Sequence, residues 1–163
     1  MPVTNNVTRL LELKKVQFTA FDLPLEKHGA LETAKLLNVL PEIVFKTIVV
    51  CRERPGAKNI LAVVPANSQV DLKALAQAVN EKKLRLPTER EAENLTGLQA
   101  GGISPLALLN KGFQVILDKS AVQYEQIHIS GGQRGLNIRL PVSALISLTN
   151  ARSAPISCAM TNL

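Results

Sequence analysis

Residues 43–51 form the segment that most constrains the fold, because nearly every side chain in it is β-branched or apolar. Such a run is typical of a strand that is covered on both faces. A polar stretch containing Pro55 and Gly56 follows, and a second aliphatic run then extends over residues 60–66. The pattern predicts two buried strands joined by a hairpin-like loop, with Pro65 stopping the second strand.

One charged residue, Lys46, interrupts the first of these strands. Because side chains alternate along a strand, Lys46 shares a face with Val44 and Ile48. A lysine on an apolar face must extend to solvent, form an ion pair or face a polar cavity. Taken alone, a strand-end lysine that reaches solvent is the simpler interpretation, and a ligand cavity is the alternative.

Shorter helices and strands are expected on both sides of this pair. Asp71 can cap a helix, and Thr88 with Glu91 has the spacing of a capping box. Helices are predicted over residues 5–15, 30–37, 71–80, 89–95 and 141–148, and strands over residues 16–21, 83–87, 113–118, 126–130 and 136–140. Because several strands are joined as hairpins, the pattern favours a mixed α/β sheet or barrel over a doubly wound fold.

The chain of 163 residues fits one domain with a sizeable core, and its 46 % hydrophobic content excludes a disordered chain. Residues 1–150 are expected to form this single domain, and residues 151–163, which lack periodicity, a loose C-terminal tail. No apolar run approaches the ~20 residues that cross a bilayer, and the N-terminal residues do not resemble a signal peptide. We therefore expect a cytoplasmic protein without a membrane partner.

The charge balance permits binding to a polyanion without requiring it. The chain has 19 basic and 13 acidic residues, which gives a formal net charge of +6. The basic residues are spread along the sequence, so a solvated surface explains each small cluster equally well. Aromatic residues make up 3 %, and no segment resembles the aromatic-rich surfaces on which single-stranded bases stack.

Familiar catalytic and metal-binding patterns are missing from the sequence. The two histidines, His28 and His128, lie in neither a nucleophile elbow nor a zinc-ligand pattern. Cys51 and Cys158 have no metal or redox spacing with neighbouring residues. We expect no metal and no cofactor, and an enzyme with this sequence would work without a protein general base of the familiar kind.

Two glycine pairs are the remaining candidates for chemistry. They lie in the segments AGGISP, residues 100–105, and SGGQRG, residues 130–135. Glycines let the backbone approach a ligand closely and can direct adjacent N–H groups at one oxygen, as in an oxyanion hole. Ordinary turn chemistry is the alternative, and it is the preferred interpretation of the second segment as a hairpin loop.

Three motifs in order, FKT at residues 45–47, TGLQAGGISPL at 96–106 and IHISGGQRGLNI at 127–138, carry a family resemblance. Over about residues 10–148 the chain resembles the YbaK family, the free-standing relatives of the editing domain inserted in bacterial prolyl-tRNA synthetases. The Cys-tRNA(Pro) deacylase type is the most similar. The resemblance implies an α+β fold, with a compact mixed, partly barrel-like β-sheet flanked by helices. It also implies hydrolysis of the ester that joins a wrong amino acid to tRNA.

The resemblance also assigns roles to residues. Lys46 matches the essential lysine of the family, and the resemblance implies that Lys46, Gly101 and Gly102 are catalytic, with the substrate's own thiol as nucleophile for cysteinyl esters. The expected substrate-binding residues are Phe45, Thr47, Ile103, Ser104, Pro105, Ser130, Gly131 and Gly132. The implied partner is the acceptor end of tRNA, with prolyl-tRNA synthetase as a further candidate and DNA not expected.

The sequence departs from the family pattern at the pocket. The first predicted strand and its continuation carry Phe21 and Leu23 where relatives have His-x-Tyr, and His28 with Gly29 stands near the position of a Phe-Gly pair. The amino acid removed, cysteine, alanine or another small residue, therefore stays open. Alternative functions are a non-catalytic module that binds tRNA or a nucleotide, a small-molecule hydrolase, and a subunit that acts only with a synthetase.

Overall fold

The computed structural model describes residues 4–160, which form five α-helices, ten β-strands and short 3₁₀ turns. The helices are α1 Asn6–Leu13, α2 Ala30–Leu37, α3 Leu72–Ala78, α4 Glu89–Thr96 and α5 Val142–Thr149. The strands are β1 Thr19–Asp22, β2 Phe45–Arg52, β3 Ile60–Pro65, β4 Ser68–Val70, β5 Leu84–Arg85, β6 Gln114–Asp118, β7 Gln126–Ser130, β8 Leu136–Pro141, β9 Arg152–Ala154 and β10 Ser157–Ala159.

The strands form three sheets. A five-stranded mixed sheet has the order β5-β2-β3-β6-β9, a three-stranded antiparallel sheet has the order β1-β8-β7, and β10 pairs with β4. The α+β class and the mixed sheet with flanking helices are confirmed. Within residues 4–160 no sheet closes into a barrel, because each of the three keeps two edge strands.

The central hairpin of β2 and β3 carries the core, as the aliphatic pattern predicts. Side chains of one face, including Phe45 and Val63, pack against Ile129 and Ile138 of the three-stranded sheet. Side chains of the other face, including Val50 and Val64, pack against α3 and the C-terminal segment. All six residues of β3 are buried, so this strand forms the common wall of both apolar layers.

Local capping signals place the helix starts as expected. The Asp71 side chain accepts a hydrogen bond from the backbone N–H of Ala74, 3.0 Å away, at the start of α3. Thr88 and Glu91 form the reciprocal capping box at the start of α4. These bonds satisfy backbone donors that would otherwise lack partners in the first helical turn.

The expectation of a loose tail after residue 150 is wrong for the described part of that segment. β9 pairs in parallel with β6, β10 pairs with β4, and Ile156 between them is fully buried. The Ile156 N–H donates to Asp118 Oδ1 at 3.0 Å. Three-residue strands have too few positions to show alternation, so their pairing with distant strands is invisible in the local pattern. Residues 161–163, which were assigned to the same tail, lie outside the described residues.

None of the helices within residues 4–160 combines the length and the apolar character needed to span a membrane.

Candidate active site

A cleft with a volume of about 380 Å³ lies beside the first half of β2. All six residues 44–49 line it, although their side chains alternate between the two faces of the strand. The cleft therefore runs along the edge of β2 and not over one face of the sheet. Its other walls come from residues 23–33, the start of α4, the loop at residues 100–103, and the ends of β7 and β8 with the turn between them.

The edge of β2 is open because its neighbours cover only its two ends. β3 occupies one side of β2 throughout, and on the other side β5 pairs only with Cys51 and Arg52. Continuing the β5 register would place Pro87 opposite Val49, and proline has no N–H to extend the ladder. At the opposite end Val44 bridges to His128 of β7. Residues 45–49 lie in the gap between β5 and β7, and this gap is the cleft.

Lys46 lies at this edge with its side chain half-buried. Its Nζ donates to the carbonyl oxygen of Ala66 at 3.4 Å, and no ion pair involves Lys46 within residues 4–160. Burial lowers the pKa of the Lys46 ammonium. This environment agrees with the ligand-cavity interpretation of Lys46, because the cleft exposes a partly desolvated cation that forms no ion pair.

The two glycines of the first pair, Gly101 and Gly102, have different structural roles. Gly101 lines the cleft with a φ of +89°, a left-handed conformation that favours glycine. Gly102 does not line it, and its N–H already donates to the Gln99 carbonyl at 2.8 Å. A Cβ on Gly102 would lie 2.9 Å from the Cα of Gln133, so this glycine lets two loops pack closely. Gly101 is therefore the member of the pair that lines the cleft, and its N–H makes no hydrogen bond within residues 4–160.

The other predicted binding residues of this loop also differ in whether they line the cleft. Ile103 lines the cleft, whereas Ser104 and Pro105 do not. Ser104 is fully buried, and its Oγ accepts from the N–H of Leu106 at 3.2 Å at the start of the 3₁₀ turn Pro105–Leu108. Ser104 and Pro105 therefore position the loop from behind.

The second glycine pair, Gly131 and Gly132, belongs to an ordinary turn, and the serine before it, Ser130, connects the two glycine loops. Ser130 lines the cleft, accepts from the N–H of Gly132 at 3.3 Å and donates to the Gly101 carbonyl at 3.5 Å. Gly131 and Gly132 do not line the cleft. A Cβ on Gly131 would collide with Leu136, and Gly132 has a φ of +94°. Of the predicted binding residues, the structure thus brings Phe45, Thr47, Ile103 and Ser130 together with Lys46 and Gly101.

Sequence reasoning missed Asn137 and Arg134, which also line the cleft. Asn137 lies on β8 opposite Ser130 and is buried. The Arg134 Nε donates to the carbonyl oxygen of Ala100 at 2.7 Å, which holds the guanidinium beside the first glycine loop. The polar Asn137 within the apolar run LNIRL was the available signal, but locating it at the cleft required the β7–β8 register.

Two of the positions that depart from the family pattern reach the cleft. Leu23 and His28 line it, whereas Phe21 packs behind it against His128, with ring centroids 5.4 Å apart. His28 Nε2 donates to the Pro24 carbonyl at 3.0 Å, and Nδ1 lies 3.5 Å from Glu32 Oε2. His28 Nε2 is therefore committed to the Pro24 carbonyl, whereas Nδ1 forms an ion pair with Glu32 of α2 only when the imidazole is protonated.

Within the described part of the chain, no group of three or more His, Cys, Asp or Glu side chains is arranged to hold a metal ion.

Comparison with known proteins gives consistent results. Residues 26–148 match the family model described as "Aminoacyl-tRNA editing domain". The protein named "Putative Cys-tRNA(Pro)/Cys-tRNA(Cys) deacylase EbsC" from Enterococcus faecalis is 35% identical over 154 residues, which cover 93% of this chain and 92% of that protein.

Solved structures share the fold at low sequence identity. "Hypothetical protein APE2540" superposes with a TM-score of 0.85 at 19% identity, covering 94% of this chain and 100% of that one. A structure described as "a putative trans-editing enzyme for prolyl tRNA synthetase" superposes with a TM-score of 0.76 at 22% identity, covering 96% and 99%.

Proposed function

The chain belongs to the aminoacyl-tRNA editing domain family, and from this membership we propose that it is a trans-editing deacylase that hydrolyses mischarged tRNA, with Cys-tRNA(Pro) as its main substrate. The observation that carries this function is the cleft at the edge of β2, which is lined by Gly101 and by Lys46, a lysine that forms no ion pair within residues 4–160. The cleft is wide enough for an amino acid and part of the terminal ribose, and it holds a cation where an ester carbonyl would need one.

We assign the stabilisation of developing charge to Lys46 and Gly101. Attack on the ester moves negative charge onto its carbonyl oxygen, and donors already in place in a partly desolvated site stabilise that charge strongly. The Lys46 ammonium is a compact cation that suits this oxygen or a nearby phosphate. The Gly101 N–H makes no hydrogen bond within residues 4–160, so it is the second donor in this proposal.

Arg134 and Ser130 complete the binding surface in this assignment. Arg134 places a guanidinium at the cleft, where the phosphate of the terminal nucleotide would follow the ester. Ser130 fixes the distance between the two glycine loops through its hydroxyl. Phe45 and Ile103 contribute an apolar wall against which a small side chain can pack, and Thr47 adds a hydroxyl that has no hydrogen-bond partner within residues 4–160.

The nucleophile in this proposal comes from the substrate. His28 donates its Nε2 proton to the Pro24 carbonyl, His128 is buried behind the cleft, and Glu89 is paired with Lys27. The proposal assigns no proton transfer to Glu26, the exposed carboxylate that also lines the cleft. The cysteinyl thiol can attack its own carbonyl carbon, forming a C–S bond while the ester C–O bond breaks and the thiol proton passes to the departing tRNA 3′ oxygen. Water then hydrolyses the resulting thiolactone to cysteine. The intramolecular geometry replaces much of what a catalytic side chain would supply.

The test is release of labelled amino acid from Cys-tRNA(Pro) and Ala-tRNA(Pro) by the native protein, by Lys46→Ala and by Lys73→Ala. Lys73 is an exposed lysine on α3 and serves as the matched control. We expect release from Cys-tRNA(Pro) that is lost in Lys46→Ala and retained in Lys73→Ala. Unchanged turnover in Lys46→Ala would overturn the assignment of this lysine.

A non-catalytic module that binds the tRNA end is the second candidate, and Leu23 and His28 at the cleft are the features that favour it. Binding of charged tRNA without release of either amino acid would support it. We also propose prolyl-tRNA synthetase as a partner, which co-purification of the two proteins with and without tRNA would test.

A further inference from the structure

Along the open edge of β2, the peptide groups of every second residue point toward the cleft. The Val44 carbonyl accepts from the N–H of Ala66 at 2.7 Å, so the Val44 peptide groups face the β3 side. Peptide groups of successive strand residues alternate in direction, and those of Phe45, Thr47 and Val49 therefore face the opposite side. Pro65 opposite Phe45 agrees with this order, because a proline can stand only where no N–H is donated.

Thr47 lies at the middle of this edge and has no strand beside it. The Val44–His128 bridge lies on one side of Thr47 along the strand, and the β5 pairs begin only at Cys51. Within residues 4–160 the Thr47 N–H and C=O take part in no backbone hydrogen bond outside the β2–β3 ladder, which they face away from. The cleft thus presents one donor and one acceptor from the same residue, side by side.

An aminoacyl ester carries the complementary pair of groups. Its α-ammonium donates, its carbonyl accepts, and the two lie on adjacent carbons as in one residue of a strand. Two residues directly opposite each other in an antiparallel ladder exchange both of these hydrogen bonds. The aminoacyl group can therefore pair with Thr47 as a single added strand residue.

We propose that the Thr47 carbonyl binds the α-ammonium of the aminoacyl group while the Thr47 N–H binds the ester carbonyl, so that the enzyme hydrolyses only esters with a free amino group. This inference rests on the proposed deacylase function and deepens it. In antiparallel pairing the ester points toward the Lys46 side of Thr47, where charge stabilisation is needed. A group attached to the amine would extend toward Val49 and the end of the cleft that Pro87 lines. N-acylated aminoacyl-tRNA and peptidyl-tRNA are thereby excluded.

Glu26 is the alternative binding partner for the ammonium group, since its exposed carboxylate also lines the cleft. The experiment therefore compares Cys-tRNA(Pro) with N-acetyl-Cys-tRNA(Pro) on the native protein and on Glu26→Gln. Each rate is divided by the spontaneous hydrolysis of the same ester, because removing the ammonium charge slows that reaction as well. Binding of 3′-amide analogues of cysteinyl-adenosine, with free and acetylated amines, is measured in parallel.

We expect N-acetylation to lower the corrected kcat/KM and the analogue affinity by at least about 10-fold, the effect of losing one hydrogen bond to a charged group. The same loss should appear in Glu26→Gln. Equal rates for the two esters would overturn the inference and leave the deacylase function standing. If the native protein prefers the free-amine ester but Glu26→Gln hydrolyses both esters at equal corrected rates, the Glu26 carboxylate binds the ammonium group and the strand edge does not. Hydrolysis of neither ester would overturn the proposed function together with the inference.

Discussion

His128 and Asn137 share a buried hydrogen bond behind the cleft, with His128 Nδ1 donating to Asn137 Oδ1 at 2.9 Å. Because a carbonyl oxygen only accepts, this bond fixes the imidazole tautomer and turns the Asn137 amide nitrogen away from the histidine. That nitrogen makes no hydrogen bond within residues 4–160 and belongs to a residue lining the cleft. A histidine that touches no substrate thereby sets the direction of a donor at the site.

The stability of the protein should fall as the pH drops below about 6.5. Burial lowers the pKa of His128 from 6.5, with the nearby Arg139 charge acting in the same direction and the Asn137 bond opposing both. Between the lowered pKa and 6.5 the unfolded chain binds a proton that the folded protein does not, so acid favours unfolding. Urea unfolding between pH 5 and 8 measures this slope. It should flatten in His128→Gln and persist in His28→Gln; an unchanged slope in the first variant would contradict the prediction.

Lys46→Met should separate activity from stability. We expect a loss of at least about 100-fold in kcat/KM, the usual effect of removing one charge-stabilising donor. The free energy of unfolding should stay the same or rise by up to about 1 kcal/mol, because a half-buried cation without a counter-charge is replaced by an apolar side chain. Denaturant unfolding and single-turnover deacylation give the two quantities, with Lys73→Met as control. A clear loss of stability would mean that the ammonium holds the fold together.

Gly102→Ala should destabilise the protein, although Gly102 does not line the cleft. Its Cβ would press on the Gln133 backbone at 2.9–3.1 Å, so the two loops must separate, at a cost of about 1–3 kcal/mol. Gly29 has no atom within 4 Å of the corresponding position, and Gly29→Ala should cost less than about 1 kcal/mol. Thermal unfolding of both variants makes the comparison. Equal stabilities would show that the loops yield without strain.

Ile156→Ala should show that the C-terminal segment belongs to the core. The side chain is fully buried between β9 and β10, and truncating such a residue costs about 2–5 kcal/mol. Val122→Ala is the matched control, because Val122 is 53% exposed and its truncation should change stability by less than about 0.5 kcal/mol. A similarly small effect at Ile156 would restore the original expectation of a loose tail.

Local patterns in the sequence were enough to predict several elements of the fold and one feature of the site. The hairpin of β2 and β3, the capped starts of α3 and α4 and the unusual position of Lys46 follow from periodicity, turn residues and capping spacing. The sequence could not reveal the open edge of β2. That edge is open because β5 ends after pairing with Cys51 and Arg52, and because Pro87 would stand opposite Val49 if β5 continued. The placement of Asn137 required strand register, and the burial of Ile156 required pairing between segments far apart in the chain. These are properties of three-dimensional neighbours and leave no local signal.

The open edge of β2 also bears on self-association. Unpaired strand edges on a protein surface recruit strands of other molecules and lead to aggregation. Here the free stretch is five residues, about 16 Å long. It is recessed beneath the walls formed by residues 86–89 and 100–103. A strand of another molecule could pair with this edge only by entering the cleft between these walls. We therefore expect the walls of the substrate cleft also to hinder edge-to-edge pairing between copies of the protein.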